Sequence, residues 1–419
     1  MERRQGLNRP GSGLFIALLA LLVSECVSAE GNLSGWWFFR GGYGIHEDHH
    51  SDVLNEQLLQ LEWKDNDLAG FQVDVKLWAQ RESALEPDVF HDVRLRELAI
   101  TKQADEYSLS LGRQIVVWGK ADGFHLLDLV NPFDLREFVL GDDLRERLPI
   151  WMVNLQLFPS DDDQWQFLFI PQTYHDRLPD EGAEFDPYAD LRRPGVDLQS
   201  VQVPSDEPEN WSFGARWTRS FGAADVSLIA LHNLNGTPVL FTSVNPDGTL
   251  VIRREIVKRT IIGLAADWNV GQAVLRAEVA VSPDEYRIFY DPNGIPYEEK
   301  HTALRTLIGV DWNINNWLIS PQIFHVEAPG SPGVGNEPEG TYASLLLERK
   351  FHFDKLTFRF FGTSATTFDD NWINASLAYQ LKDNLEVSIG ADWLGGKSSG
   401  FFGQFSDRDR LVIGLKGYF

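Results

Sequence analysis

The charged residues best placed to do chemistry crowd into one stretch: Lys120, Asp122, His125, Asp128, Asp134, Arg136 and Glu137. A second group, Arg216, Arg259, Arg276, Arg305 and Arg359, is spread over the following two hundred-odd positions. Neither group fits a reaction. The sequence carries no nucleophile motif, no phosphate loop and no dinucleotide fingerprint, so neither an enzyme nor a cofactor is expected. His46, Glu47, Asp48, His49 and His50 offer metal-ligating types, but their spacing matches no closed zinc pattern, and a solvated polar loop is the expectation. What opposed charges can do at a narrow place is sort ions by their field. That requires a watered passage and elements that turn these side chains toward it.

Those elements are strands. Period-two alternation dominates, as in residues 71–80, where Phe71, Val73, Val75, Leu77 and Ala79 share one face and Gln72, Asp74, Lys76 and Gln80 the other. Trp63, Trp151, Trp217, Trp268, Trp312 and Trp393 fall at the ends of such faces. An amphipathic ring at a strand end suits a membrane interface. About eighteen strands are expected, with sixteen as the alternative, because the segments near 90–102 and 341–350 are weakly patterned. Short turns alternate with long links at 81–92, 118–149, 172–209, 233–257, 283–301, 328–340 and 395–408. Short turns on one side and long loops on the other predict an all-β, closed, antiparallel up-and-down transmembrane barrel over residues 30–419. Backbone groups in lipid must be paired internally, which forces closure.

The ends fit the same reading. Arg3, Arg4 and Arg9 precede an apolar run from Leu14 to Val23, then Val27-Ser28-Ala29. This predicts a signal peptide over 1–29, cleaved after Ala29, and export. The run is too short for a permanent membrane helix. Cys26, the single cysteine, would leave with it. At the other end Leu411, Ile413, Leu415 and Phe419 share a face, and Phe419 looks like the signal read by the barrel-assembly machinery. The formal net charge of −24 argues against nucleic acid as a partner. Outer-membrane lipid and a small hydrophilic solute or polymer are the expected partners.

On this frame the five arginines become a candidate basic wall facing the lumen and favouring anions. A one-residue slip in register would turn them outward. Charges of both signs opposite the apolar faces either water the lumen or pair into ladders that fill it. The third long loop, near 118–149, is expected to fold inward. Its charged set then forms a constriction, or the loop is a structural latch. Arg113 falls on the lipid side by simple alternation, and a bulge at Gly112 would turn it inward.

Residues 112–134 carry Gly112-Arg113-Gln114, Trp118-Gly119, Asp128 and Asn131-Pro132 followed by Asp134. This segment resembles porin-like outer-membrane barrel families, among them alginate-export barrels and uncharacterised relatives. The resemblance covers about residues 90–160 and implies an outer-membrane channel, often of eighteen strands. It makes Arg113, Gln114, Trp118, Asn131 and Pro132 its motif residues. An alginate conduit is strongly basic and this chain is acidic, so that substrate does not follow. The expected function is a channel for hydrophilic, including anionic, solutes. The alternatives are a surface receptor or adhesin, or a gated exporter barrel with a plugged pore; an outer-membrane enzyme ranks last.

Overall fold

The computed structural model describes residues 32–46, 51–85, 88–119, 123, 125–141, 146–292, 295–330 and 339–419. The expected leader 1–29 lies outside them, as do Lys120, Asp122 and residues 47–50.

The strands are β1 (Asn32–Gly44), β2 (Asp52–Leu68), β3 (Phe71–Glu82), β4 (Phe90–Gln103), β5 (Tyr107–Gln114), β6 (Ile150–Ser160), β7 (Asp163–Ile170), β8 (Val196–Gln202), β9 (Ser212–Phe221), β10 (Ala224–Leu234) and β11 (Val239–Val244). They continue as β12 (Leu250–Glu255), β13 (Lys258–Val270), β14 (Ala273–Tyr290), β15 (Pro296–Ile314), β16 (Trp317–Glu327), β17 (Gly340–Phe351), β18 (Leu356–Ala365), β19 (Asp370–Lys382), β20 (Leu385–Gly396) and β21 (Arg410–Tyr418). All but β8, β11 and β12 form one 18-stranded antiparallel sheet. It closes where β1 pairs with β21, and Phe419 exchanges backbone hydrogen bonds of 2.9 and 3.0 Å with Gly35 at the seam. The count is eighteen, not sixteen.

The alternation sets the facing. Ile262, Ile308 and Ile323 look outward and are each more than half exposed, as a lipid-facing surface requires. Trp165, Trp268 and Trp312 lie outward near the short turns, and Trp151 and Trp393 near the long loops. These are two aromatic girdles.

Inside, the lining changes halfway up the wall. Near the short turns the inward residues are polar: Asp225 and Ser227 on β10, Asp267 on β13 and Arg276 on β14. Toward the long loops they become apolar: Ile229, Leu231, Ile261, Leu307 and Phe324. There they join Trp118, Leu126, Leu127, Val130 and Phe138 of the third loop in one buried cluster. Burying each such side chain stabilises by about 1.5–3 kcal/mol, so the loop is held in the barrel by its own apolar residues.

Three expectations need correction. Residues 283–301 are not a long link; β14 and β15 run on past the other strands as a hairpin, Tyr290 opposite Pro296. The links 172–209 and 233–257 contain β8, β11 and β12, a separate three-stranded sheet. Its apolar residues, Leu240 and Ile252 among them, pack with Ile288 of that hairpin into a second small core. The expected bulge at Gly112 is absent, since β5 pairs without a shift on both sides. The shift falls opposite Lys76 and Leu77, where Arg96 is the extra residue on β4. Arg96 thereby turns inward, 3.9 Å from the Trp78 ring centroid.

Candidate functional site

The site is the lumen and the third loop that enters it. The loop leaves β5 at Gln114 and returns at Ile150. Asn131 ties the two ends together. Its carboxamide oxygen accepts from the Val116 N–H at 2.8 Å, and its nitrogen donates to the carbonyls of Gln114 (3.0 Å) and Leu148 (2.9 Å). The Pro132 carbonyl accepts from the Leu148 N–H at 2.7 Å. Gln114 donates to the Met152 carbonyl at 3.3 Å, and Trp118, 1% exposed, donates from Nε1 to Gln166 of β7 at 2.8 Å. The motif residues thus staple the loop. Arg113 remains on the outer face opposite Trp151, one residue from the strand end, where its Nε donates to the Pro149 carbonyl at 3.1 Å. Its place at the end of the strand removes the cost of a charge at mid-membrane without any bulge.

The loop touches the inner wall on several sides. Leu127 packs on Gly263 of β13, Trp118 on Gly214 of β9, and Gly123 on Phe361 of β18. A Cβ on Gly263 or Gly214 would collide with those side chains, so the glycines set how closely the loop can approach. Asn233 of β10 donates to the Leu129 carbonyl at 2.8 Å.

The charged set of the loop does not form one ring. Asp128 is buried, accepts from Arg147 Nε at 2.6 Å and from the Trp118 N–H at 3.3 Å, and so braces the loop internally. His125 stacks on Phe133 at 4.3 Å between centroids and lies 3.8 Å from Asp128. Asp134 and Arg136 pair with each other at 2.7 Å, and Phe90 is held between the guanidinium groups of Arg136 (4.2 Å) and Arg177 (4.3 Å). Glu137 faces the opposite wall, where it pairs with both Arg40 of β1 and Arg410 of β21, the latter at 2.8 Å. Those arginines also hold Glu56 and Asp392, each at 2.8 Å. Lys120 and Asp122 fall outside the described residues.

Sequence reasoning missed Arg40 and Arg410 as the partners of Glu137, and Glu56 as the second acid on Arg40. One signal was available. Arg40 is the single charge in the aromatic run Trp36-Trp37-Phe38-Phe39, and its alternation with Phe38 puts it inward.

The five wall arginines face inward in the observed registers. Arg276 and Arg359 lie in the half nearer the short turns, Arg216 at mid-wall opposite Ile229, and Arg259 and Arg305 nearer the loops. Arg276 pairs with Asp311 and Arg305 with Glu285 at 2.7 Å. Arg216 is hydrogen-bonded to Thr218 (3.1 Å) and Ser227 (3.2 Å), and Arg259 to Asn233 (3.2 Å) and Asn235 (2.9 Å). Among the described residues, Arg216, Arg259 and Arg359 make no ion pair.

Asp176, in the loop after β7, is the joint between loops. Its carboxylate accepts from the Phe133 N–H of the third loop at 2.8 Å, its own N–H donates to the Gly236 carbonyl at 2.9 Å, and its side chain packs on Gly236. Burial pushes its carboxyl up to about 6, opposed by the Phe133 N–H and by Arg259.

A cavity of about 590 Å³ remains between the third loop and the wall formed by β17–β21 and β1. Arg359, Glu348, Phe361, Trp372 and Ser376 line it on the wall side, and His125 and Val139 on the loop side. Pockets that hold small ligands are of this size.

Residues 80–419 match the family described as "Protein of unknown function (DUF1302)". No curated protein matches the chain. Among solved structures, the chain is similar to Pseudomonas aeruginosa OccK2 (OpdF), at 10% identity and a TM-score of 0.55, covering 93% of this chain and 97% of that one. Acinetobacter baumannii OccAB3 gives 9% identity and a TM-score of 0.54, covering 94% and 100%. Pseudomonas aeruginosa OccK5 (OpdH) gives 12% and 0.53, covering 93% and 98%. At such identities the likeness is one of fold, an 18-stranded transmembrane-type barrel, and that fold is consistent with an outer-membrane location.

Proposed function

This chain belongs to the DUF1302 family of unknown function, and from that premise and the lumen geometry we propose that it is an outer-membrane channel for small hydrophilic solutes, anions among them. The observations that support this are the polar lining of the short-turn half and the cavity of about 590 Å³ beside the third loop. Arg216 faces the lumen without an acidic partner within ion-pair distance among the described residues, which favours anions. The loop narrows the passage and Glu137 fastens it to the wall. Phe419 at the barrel seam serves assembly.

A second reading is a receptor or gated exporter barrel whose lumen stays plugged. The apolar packing of the third loop against Ile229, Ile261 and Phe324 favours it. Single-channel currents of the refolded chain in planar bilayers under a salt gradient separate the two. Steady open steps with an anion-selective reversal potential are expected. Folded barrels that pass no current would leave the plugged reading.

A further inference from the structure

The cavity of about 590 Å³ has a polar end and an aromatic end. Phe361 and Trp372 form the aromatic end, their centroids 5.0 Å apart, directly beneath Gly123 of the third loop. Two residues down β18 toward the short turn stands Arg359, opposite Glu348 of β17 in the register. Both side chains line the cavity. Among the described residues neither makes an ion pair or a side-chain hydrogen bond, although they face each other across adjacent strands.

The other charged groups around the cavity are engaged. Arg40 holds Glu56 and Glu137, Arg410 holds Glu137 and Asp392, and Glu146 has an interaction of its own. Asp392 further accepts from Asn374 at 2.7 Å. The wall therefore presents one cation and one anion side by side, both uncommitted. An apolar surface lies about 7 Å along the strand, the rise of two residues.

We propose that this cavity binds a small zwitterion with an aromatic or apolar side chain, in the manner of a hydrophobic amino acid. Its carboxylate lies on Arg359, its ammonium on Glu348, and its side chain against Phe361 and Trp372 under the loop. A simple anion would meet Glu348, and a simple cation would meet Arg359; only a ligand with both charges satisfies the pair. The inference deepens the channel reading and rests on it for the claim that the bound molecule is a transported one.

The test uses the folded full barrel in detergent, with phenylalanine, phenylacetate and phenethylamine titrated calorimetrically. Wild type should bind phenylalanine more tightly than either analogue. Arg359→Gln should raise Kd for phenylalanine and phenylacetate about tenfold or more. Glu348→Gln should weaken phenylalanine and phenethylamine while tightening phenylacetate. This crossed pattern does not arise from misfolding, which would weaken all three. Equal phenylalanine affinity in the three proteins, or none in wild type at millimolar concentration, overturns the proposal. Currents from the same preparations separate the readings. Binding without current keeps the site and removes the channel, and current without binding does the reverse.

Discussion

The two halves of the lumen are built on the same strands and behave as different materials. Near the short turns, side chains such as Lys76 and Glu97, 3.1 Å apart, stand in partly solvated pairs. Near the loops, the wall from β6 to β19 turns largely apolar and receives the third loop as a packed core, while β1, β2 and β21 meet it with Arg40, Glu56 and Arg410. A closed hydrogen-bonded wall needs nothing inside it. The third loop is therefore an addition to a wall that stands alone, and its fastenings can be cut one at a time.

The largest effect is expected from Glu137→Ala. It leaves Arg40 and Arg410 buried with an acid removed, a loss of about 3–5 kcal/mol in loop docking. Hydrogen exchange should rise across 125–141 while the strand amides stay protected. Loss of protection throughout the wall would break the comparison.

Asn131→Ala comes next. It orphans the Val116 N–H and the two carbonyls of Gln114 and Leu148. About 2–3 kcal/mol should be lost. Limited proteolysis should then cut between 115 and 149 and spare the short turns.

Asp176 sharpens the comparison by pH. Its folded carboxyl titrates at about 6, above its unfolded value near 4. The stabilisation is therefore full below about 4 and is lost as pH rises through 6, amounting to about 3 kcal/mol. Protection in the third loop, referred to the intrinsic exchange rate at each pH, should be higher at pH 5 than at pH 7.5. Asp176→Asn should flatten that dependence, and an unchanged slope would remove Asp176 from the joint.

The smallest effect belongs to the solvated half. Lys76→Gln should cost about 0–1 kcal/mol and leave loop exchange as it was. A large loss, measured by denaturant unfolding, would mean that the lower lumen is as tightly packed as the upper.

The wall was legible because lipid on one side imposes a strict period of two. The run from Phe71 to Ala79 could be placed on its face from sequence alone. The turns declared themselves through residues such as Asn315-Asn316, both at positive φ. The inner contents were legible only in part. Trp118, Asn131 and Pro132 stood out as a motif, and their role as a staple became visible once Val116, Gln114 and Leu148 were near them. The partners of Glu137 lie 97 and 273 positions away, and no local spacing encodes such distances. The strands β8, β11 and β12 escaped because they are only six or seven residues long, and β8 also lies in a segment rich in acids and prolines. Arg96 was hidden because a bulge breaks the alternation that the reading depended on.

The central claim is that the third loop, pinned through Glu137, narrows a watered lumen. The most direct test is the single-channel conductance of wild type and Glu137→Ala in the same bilayer and salt. The account predicts larger open steps for the variant, with the barrel still folded by its heat-shifted mobility. Equal conductance from the two folded proteins would contradict it.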